Sequence, residues 1–343
     1  MNVRTAAVLV SMTALTWSAS APAETRPSVW DIARDPGEAG RWDLHVRVER
    51  LLQGSLRMRG EDELRREAAR VMLEDADAAH SPDVRLRFDL GIVYEELELH
   101  RRAVDVLQPA IESAPDHPSA VRALSALAYA YAKLGDAPRE LEVWRTYIPR
   151  LVSESARATE MMNMGEAEMR LGRIEDALDT FTEVLRLCGE LPNSSGVSTT
   201  YVLTLWDLAV ALDRSGDPRG ALTTTRKALA WSGRTIDRSI NGWDAIKEPG
   251  IAFFVPEWER DWYLALGSAA LAGVATDSLE AARLKAEAAR YRGAYVERAT
   301  ASGSKDPWLA VAKRRAREAA ADAAAAIARL ARPAPTSKPA ASP

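Results

Sequence analysis

A doublet of one bulky apolar residue followed by Gly or Ala returns along the chain. It stands at Leu90-Gly91, Leu127-Ala128, Met164-Gly165, Leu208-Ala209 and Leu266-Gly267, with the small members 37, 37, 44 and 58 residues apart. Three residues after the small member come Tyr94, Tyr131, Glu168, Leu212 and Ala270. Twelve after it stand Ala103, Glu140, Ala177 and Ala221; sixteen after it, Leu107, Trp144, Phe181 and Thr225; nineteen after it, Ala110, Tyr147, Val184 and Ala228. Spacings of three and four give each of two successive helices one buried stripe. The small residue lets the partner helix approach, and the bulky residue sixteen later fills the space beside it. A single hairpin cannot bury its own apolar face, so such units must stack. The fold class is all-α.

Leu134-Gly135-Asp136, Leu171-Gly172-Arg173 and Ser215-Gly216-Asp217 separate the helices of three units. Glycine there suits a left-handed C-cap, Asp136 and Asp217 suit N-caps, and Pro138 and Pro218 suit a first helical turn. The segment "LGIVYEELELHRRAVDVLQPAIESAP" places Leu90, Gly91, Tyr94, Ala103, Leu107, Ala110 and Pro115 in the pattern, and "MGEAEMRLGRIEDALDTFTEVL" follows it closely. These segments resemble the tetratricopeptide repeat, whose unit is about 34 residues. The resemblance spans 84–300, with units near 84–117, 121–154, 158–191, 202–231 and 260–300. It implies a right-handed superhelical solenoid of stacked hairpins, with first helices lining a concave groove for peptide segments. The chain departs from the family at Glu168, where an aromatic is preferred, and at Glu140, where a small residue is. The last unit fits only in its first helix.

Residues 24–80 read as a linker and a degenerate capping hairpin, Arg41 to Arg57 and Glu61 to Ala79, with Ala69, Leu73 and Ala76 as its core face. A capping helix follows the repeats at 306–331, opened by Asp306-Pro307, and 332–343 reads as a disordered Pro/Ala/Ser tail. The two long spacings locate insertions, one at "LPNSSGVSTT" (Leu191 to Thr200) and one at 232–255. The second ends on "IAFFV", between Pro249-Gly250 and Pro256, which forbid a continuous helix. An extended aromatic insert before the last repeat is expected there, carrying Phe253 and Phe254 and leading to Trp258. It can act as a plug buried on the repeats or as an exposed recognition loop.

On the first helices, residues three before and one after each small residue are assigned to the groove. That count gives Phe88, Ile92, Ser125, Tyr129, Met162, Glu166, Trp206 and Val210, with Met169 further along. Relatives that bind C-terminal carboxylates carry Lys, Arg and Asn there, and this chain has none of them at these places. The apolar lining suits an extended or amphipathic partner segment. The same side chains can instead pack between units or under the insert.

Little points to catalysis. His45, His80, His100 and His117 lack metal-ligand spacing, Cys188 is the only cysteine, and no phosphate loop or nucleophile elbow is present. No metal or cofactor is expected. Carboxylates such as Glu95 and Glu98 beside Arg101 and Arg102 read as surface pairs. Arg4, an apolar run from Ala6 to Trp17 and Ala21-Pro22-Ala23 read as a cleaved export signal over 1–23. The chain left after it has 44 basic and 49 acidic residues, too acidic and too evenly spread for a nucleic-acid partner. The sequence reading is therefore a soluble, periplasmic or extracellular scaffold of the bacterial envelope, not an enzyme. Its partner is another protein or peptide, and self-association through the solenoid ends is the alternative. The exported form is expected to begin at Glu24, which N-terminal sequencing checks; an intact Met1 in the membrane fraction contradicts it.

Overall fold

The computed structural model describes residues 36–55, 62–191, 194–234, 239–248, 251–303 and 305–331. The export signal at 1–23 and the tail at 332–343 lie outside the described residues. The chain divides into two compact units between Leu171 and Gly172.

The N-terminal unit contains α1 (Pro36–Ser55), α2 (Asp62–Asp75), α3 (Val84–Glu96), α4 (His100–Ser113), α5 (Ala120–Leu134), α6 (Ala137–Tyr147) and α7 (Glu154–Arg170). Each helix packs on the next, and α3 also touches α1 and α5, so the helices stack as hairpins. One close crossing is at Gly91. A Cβ built there would lie 2.3 Å from the Leu107 Cγ, so the Leu107 side chain occupies the place of a side chain on α3. The turns follow local chemistry. Gly135 takes φ +73° after α5, and the Asp136 carboxylate caps α6 by accepting from the Arg139 amide at 3.3 Å. Between α3 and α4 the left-handed residue is Glu98, at φ +62°, a conformation that glycine adopts with less strain.

The first hairpin, α1 and α2, is held by charge as well as by Val48, Leu52, Ala69 and Leu73. His45 meets Asp89 at 2.5 Å, Arg122 meets Glu49 at 2.5 Å and Arg66 meets Glu96 at 2.9 Å. Burial pushes the Asp89 carboxyl up, against the pull of its His45 partner. Ala76 is exposed beyond the end of α2, and Ala78 is buried in its place. Arg102 reaches Glu74 at 2.7 Å across the Tyr94 ring, while Glu95 is buried, so the surface grouping read around Arg101 and Arg102 is corrected. Glu140 departs from the repeat for a visible reason. Buried on α6, it accepts from the Trp144 indole at 3.1 Å and from Arg170 of α7 at 2.6 Å.

The C-terminal unit contains α8 (Ile174–Glu190), α9 (Ser195–Ser215), α10 (Pro218–Ala230), β1 (Ser232–Arg234), β2 (Ser239–Asn241), α11 (Asp244–Lys247), α12 (Glu259–Ala272), α13 (Ser278–Ala301) and α14 (Leu309–Leu330). The insertion placed at Leu191 to Thr200 is mostly helix. Ser194 caps α9, accepting from the Val197 amide at 3.3 Å, so the extra residues lengthen this helix at its start. The second insertion folds too: β1 and β2 pair antiparallel, Gly233 opposite Ile240, and α11 follows.

Two charged residues near the end of α9, Asp213 and Arg214, gather the last helices. Asp213 accepts from the Trp262 indole of α12 at 2.9 Å and from Arg292 of α13 at 2.6 Å, and Arg315 of α14 pairs with it at 2.8 Å. Next to it Arg214, fully buried, pairs with Glu259 at 2.5 Å. The rest of its guanidinium lies over the rings of Trp262 and Trp308, 4.5 and 5.3 Å from their centroids, where the ring faces attract the cation. The Tyr295 hydroxyl, with one proton to donate, lies 2.8 Å from Asp306 and 3.1 Å from Glu259.

Two glycines separate packing from propensity. Gly91→Leu is expected to cost roughly 1–3 kcal/mol by overpacking against Leu107. Gly293→Ala, in α13 with open space around it, is expected to gain up to about 1 kcal/mol from helix propensity. Urea unfolding of each variant checks both; equal effects contradict the close crossing.

Candidate binding site

Seven of the nine residues assigned to an open groove are in the core, and Ser125 and Glu166 are half-buried. Phe88, Ile92, Tyr129, Met162 and Met169 of the N-terminal unit, and Trp206 and Val210 of the C-terminal unit, are each at most 7% exposed. The sequence-based lining is corrected accordingly. Its error is physical: α3 buries every residue from Phe88 to Glu95, and α5 every residue from Ala126 to Ala132. A helix buried on all sides is an inner one. The face assigned to a ligand is covered by neighbouring helices, as α3 is by α1 and α5. Phe88 lies 5.8 Å from the His117 ring, and Tyr129 meets Trp144 edge-on at 5.4 Å.

The Tyr129 hydroxyl donates to Glu160 at 3.3 Å, and Asn163 donates to the same carboxylate at 2.9 Å. Burial, opposed by these two donors, pushes the Glu160 carboxyl up to about 7.

The insert covers Trp206. The Trp206 indole donates to the Gly242 carbonyl at 2.8 Å, and its ring lies 5.9 Å from that of Trp243. A Cβ on Gly267 would fall 1.8 Å from the Trp243 ring, so Trp243 fills the space beside the small residue of the last repeat. Gly242 is pinned as well, because a Cβ there would meet the Ala228 carbonyl oxygen at 1.6 Å. Ile251 is buried, whereas Phe253, Phe254 and Trp258 are half-buried. Phe254 stacks edge-on against Tyr263 at 5.1 Å. The aromatic residue that enters the repeat is thus Trp243, ten residues before Phe253. Residues 251–255 lie in neither helix nor strand.

A cleft of about 640 Å³ opens at the start of the insert. Cys188, Gly189 and Leu191 form one wall, Ser194, Val197, Ser198 and Tyr201 of the α9 start another, and Trp231, Ser232 and Gly233 the third. The volume lies within the range of small-ligand sites. None of these ten residues is charged. Cys188 is buried, and that burial pushes its thiol up to about 11, so it stands there as a neutral S–H. The Gly233 backbone lies against the Trp231 ring and the Ser198 hydroxyl, leaving no room for a side chain. Sequence reasoning missed this cleft. Its signal was present, because the two long repeat spacings, 44 and 58 residues, place their insertions directly beside these residues.

Among the described residues no group of three His, Cys, Asp or Glu side chains could hold a metal ion. No described helix is long and apolar enough to cross a membrane.

No family model matches the chain, and no curated protein matches it. Among solved structures, the chain is similar to the apo form of RapI (14% identical, 84% of this chain and 99% of that one, TM-score 0.47). It is also similar to a Podosopora anserina kinesin light chain with nearly identical TPR-like repeats (16% identical, 61% and 94%, TM-score 0.41). A third is the apo quorum sensor NprR from B. thuringiensis (15% identical, 84% and 84%, TM-score 0.39). The register read in the sequence appears as a close crossing at Gly91, a filled space at Gly267 and first helices that end on Gly135, Gly172 and Gly216.

The raised Glu160 carboxyl makes stability depend on pH. Its folded value of about 7 exceeds the unfolded 4.5, so the folded chain binds the extra proton between them. Stability is highest below about pH 4.5 on this account and falls as pH rises through 7, by about 3 kcal/mol in all. Glu160→Gln keeps an acceptor for Tyr129 and Asn163 and removes the charge. Urea unfolding at pH 5 and pH 8 is expected to show a fall for the native chain that the variant lacks; parallel falls contradict the assignment.

Proposed function

We propose that the chain is a non-catalytic, exported scaffold of the cell envelope that binds a segment of another protein. The observation that carries this reading is the neutral cleft at Cys188, Tyr201 and Trp231, built where both insertions leave the repeat pattern. The second insertion puts Trp243 into the core, but Ser232 and Gly233 at its start order around the cleft instead of filling it, and that favours recognition. Export is supported by the apolar run before Ala21-Pro22-Ala23. Binding without chemistry is supported by the lining: a thiol kept protonated by burial is a poor nucleophile, and among the described residues no charged side chain lines the cleft.

Photocrosslinking in cells tests the reading. A photoreactive residue replaces Gly189, on the cleft wall, or Gly293, on α13; neither position has an atom within 4 Å of an added Cβ. A discrete adduct with another protein is expected from position 189 and not from 293. No adduct from 189, or the same adducts from both, contradicts it.

A further inference from the structure

Resting on that reading, we propose that the cleft takes an extended, uncharged peptide segment, with an aromatic or aliphatic side chain against Trp231 and main-chain carbonyls facing the cleft hydroxyls. All ten lining residues are neutral, so among the described residues none in the lining would pair with a charged side chain brought out of water. Val197, Leu191 and the Trp231 ring supply the apolar surface. The Trp231 indole N–H and the hydroxyls of Ser198, Tyr201 and Ser232 supply donors, and among the described residues none of the four has a hydrogen-bond partner. Donors in excess fit an acceptor-bearing ligand, and an extended peptide presents one carbonyl per residue.

The wall itself favours an extended segment. β1 carries Ser232 and Gly233 into the lining, packs on α9 and, among the described residues, pairs with β2 alone. A partner segment can lie along such an edge, its backbone bonding to the strand while alternate side chains enter the cleft. At Gly233 a side chain would collide with Trp231 and Ser198, so glycine lets both side chains close on this wall.

The test selects binders from a random library of peptides about twelve residues long on the full exported chain, then measures affinity for three proteins. Gly189→Trp fills the cleft from α8, where an added side chain meets open space. Ser232→Trp fills it from the exposed wall of β1. Selected peptides are expected to share an uncharged anchor with an apolar side chain and to lose at least about tenfold in affinity, roughly 1.4 kcal/mol, on both variants. Their affinity is expected to change little between about 50 and 500 mM salt, because screening acts on charge. Unchanged circular dichroism and melting of the variants exclude a folding defect; if one variant unfolds, the other decides. Peptides that bind both filled variants as tightly as the native chain, or whose anchors are charged and salt-sensitive, overturn the inference and leave the scaffold reading standing. A library that yields no binder overturns both.

Discussion

Two repeats turn on one kind of contact, a large side chain laid on a helix position that has none. Leu107 does this on Gly91 within a single hairpin, so close that a methyl group cannot be added. Interiors pack near crystal density, and a mismatch of one methylene there is felt. The last repeat keeps the small residue, Gly267, but its covering side chain is Trp243 from the preceding insert. The insertion that lengthens the repeat spacing to 58 residues therefore supplies part of the core. Pinned at Gly242 and Trp243, it can present Trp231, Ser232 and Gly233 at the cleft from an anchored base.

Burial of charge holds the C-terminal unit to one arrangement. Asp213 collects Trp262, Arg292 and Arg315 from three different helices, and Arg214 is enclosed by Glu259, Trp262 and Trp308. Replacing a whole buried ion pair with apolar groups is often neutral, but removing one partner leaves a costly buried charge. A helix that slips from its place in this cluster strands a charge at once. Glu140 does the same for α6 and α7 of the N-terminal unit, which explains a carboxylate at a crossing that normally takes a small residue.

Legibility in the sequence followed the strength of the local rule. Gly135, Gly172 and Gly216 all adopt positive φ, because a helix that ends on glycine has a strong local preference. The hairpins themselves were readable from the doublets and their sixteen-residue partners. Which neighbour covers a face was not readable. Periodicity separates buried from exposed positions, and Phe88, Tyr129 and Trp206 are buried, but by their own chain. The insert was located by counting, yet its interior has no period, so Trp243 could not be told from Phe253 as the residue that enters the repeat. Asp213 and Arg214 look like surface charges in sequence; only their distant partners make them interior. The cleft was missed because its third wall, Trp231 to Gly233, lies thirty residues or more beyond the other two in the chain.

The claim that the insert completes the last repeat is tested most directly by a double-mutant cycle at Trp243 and Gly267, read by urea unfolding. Trp243→Ala empties the space beside Gly267, and Gly267→Leu crowds it while Trp243 is present. If the two side chains compete for one space, leucine at 267 is tolerated once the indole is gone. The double variant is then more stable than the sum of the single losses allows, by at least about 1 kcal/mol. Additivity within about 0.5 kcal/mol means that the two positions do not share that space, and it contradicts the account.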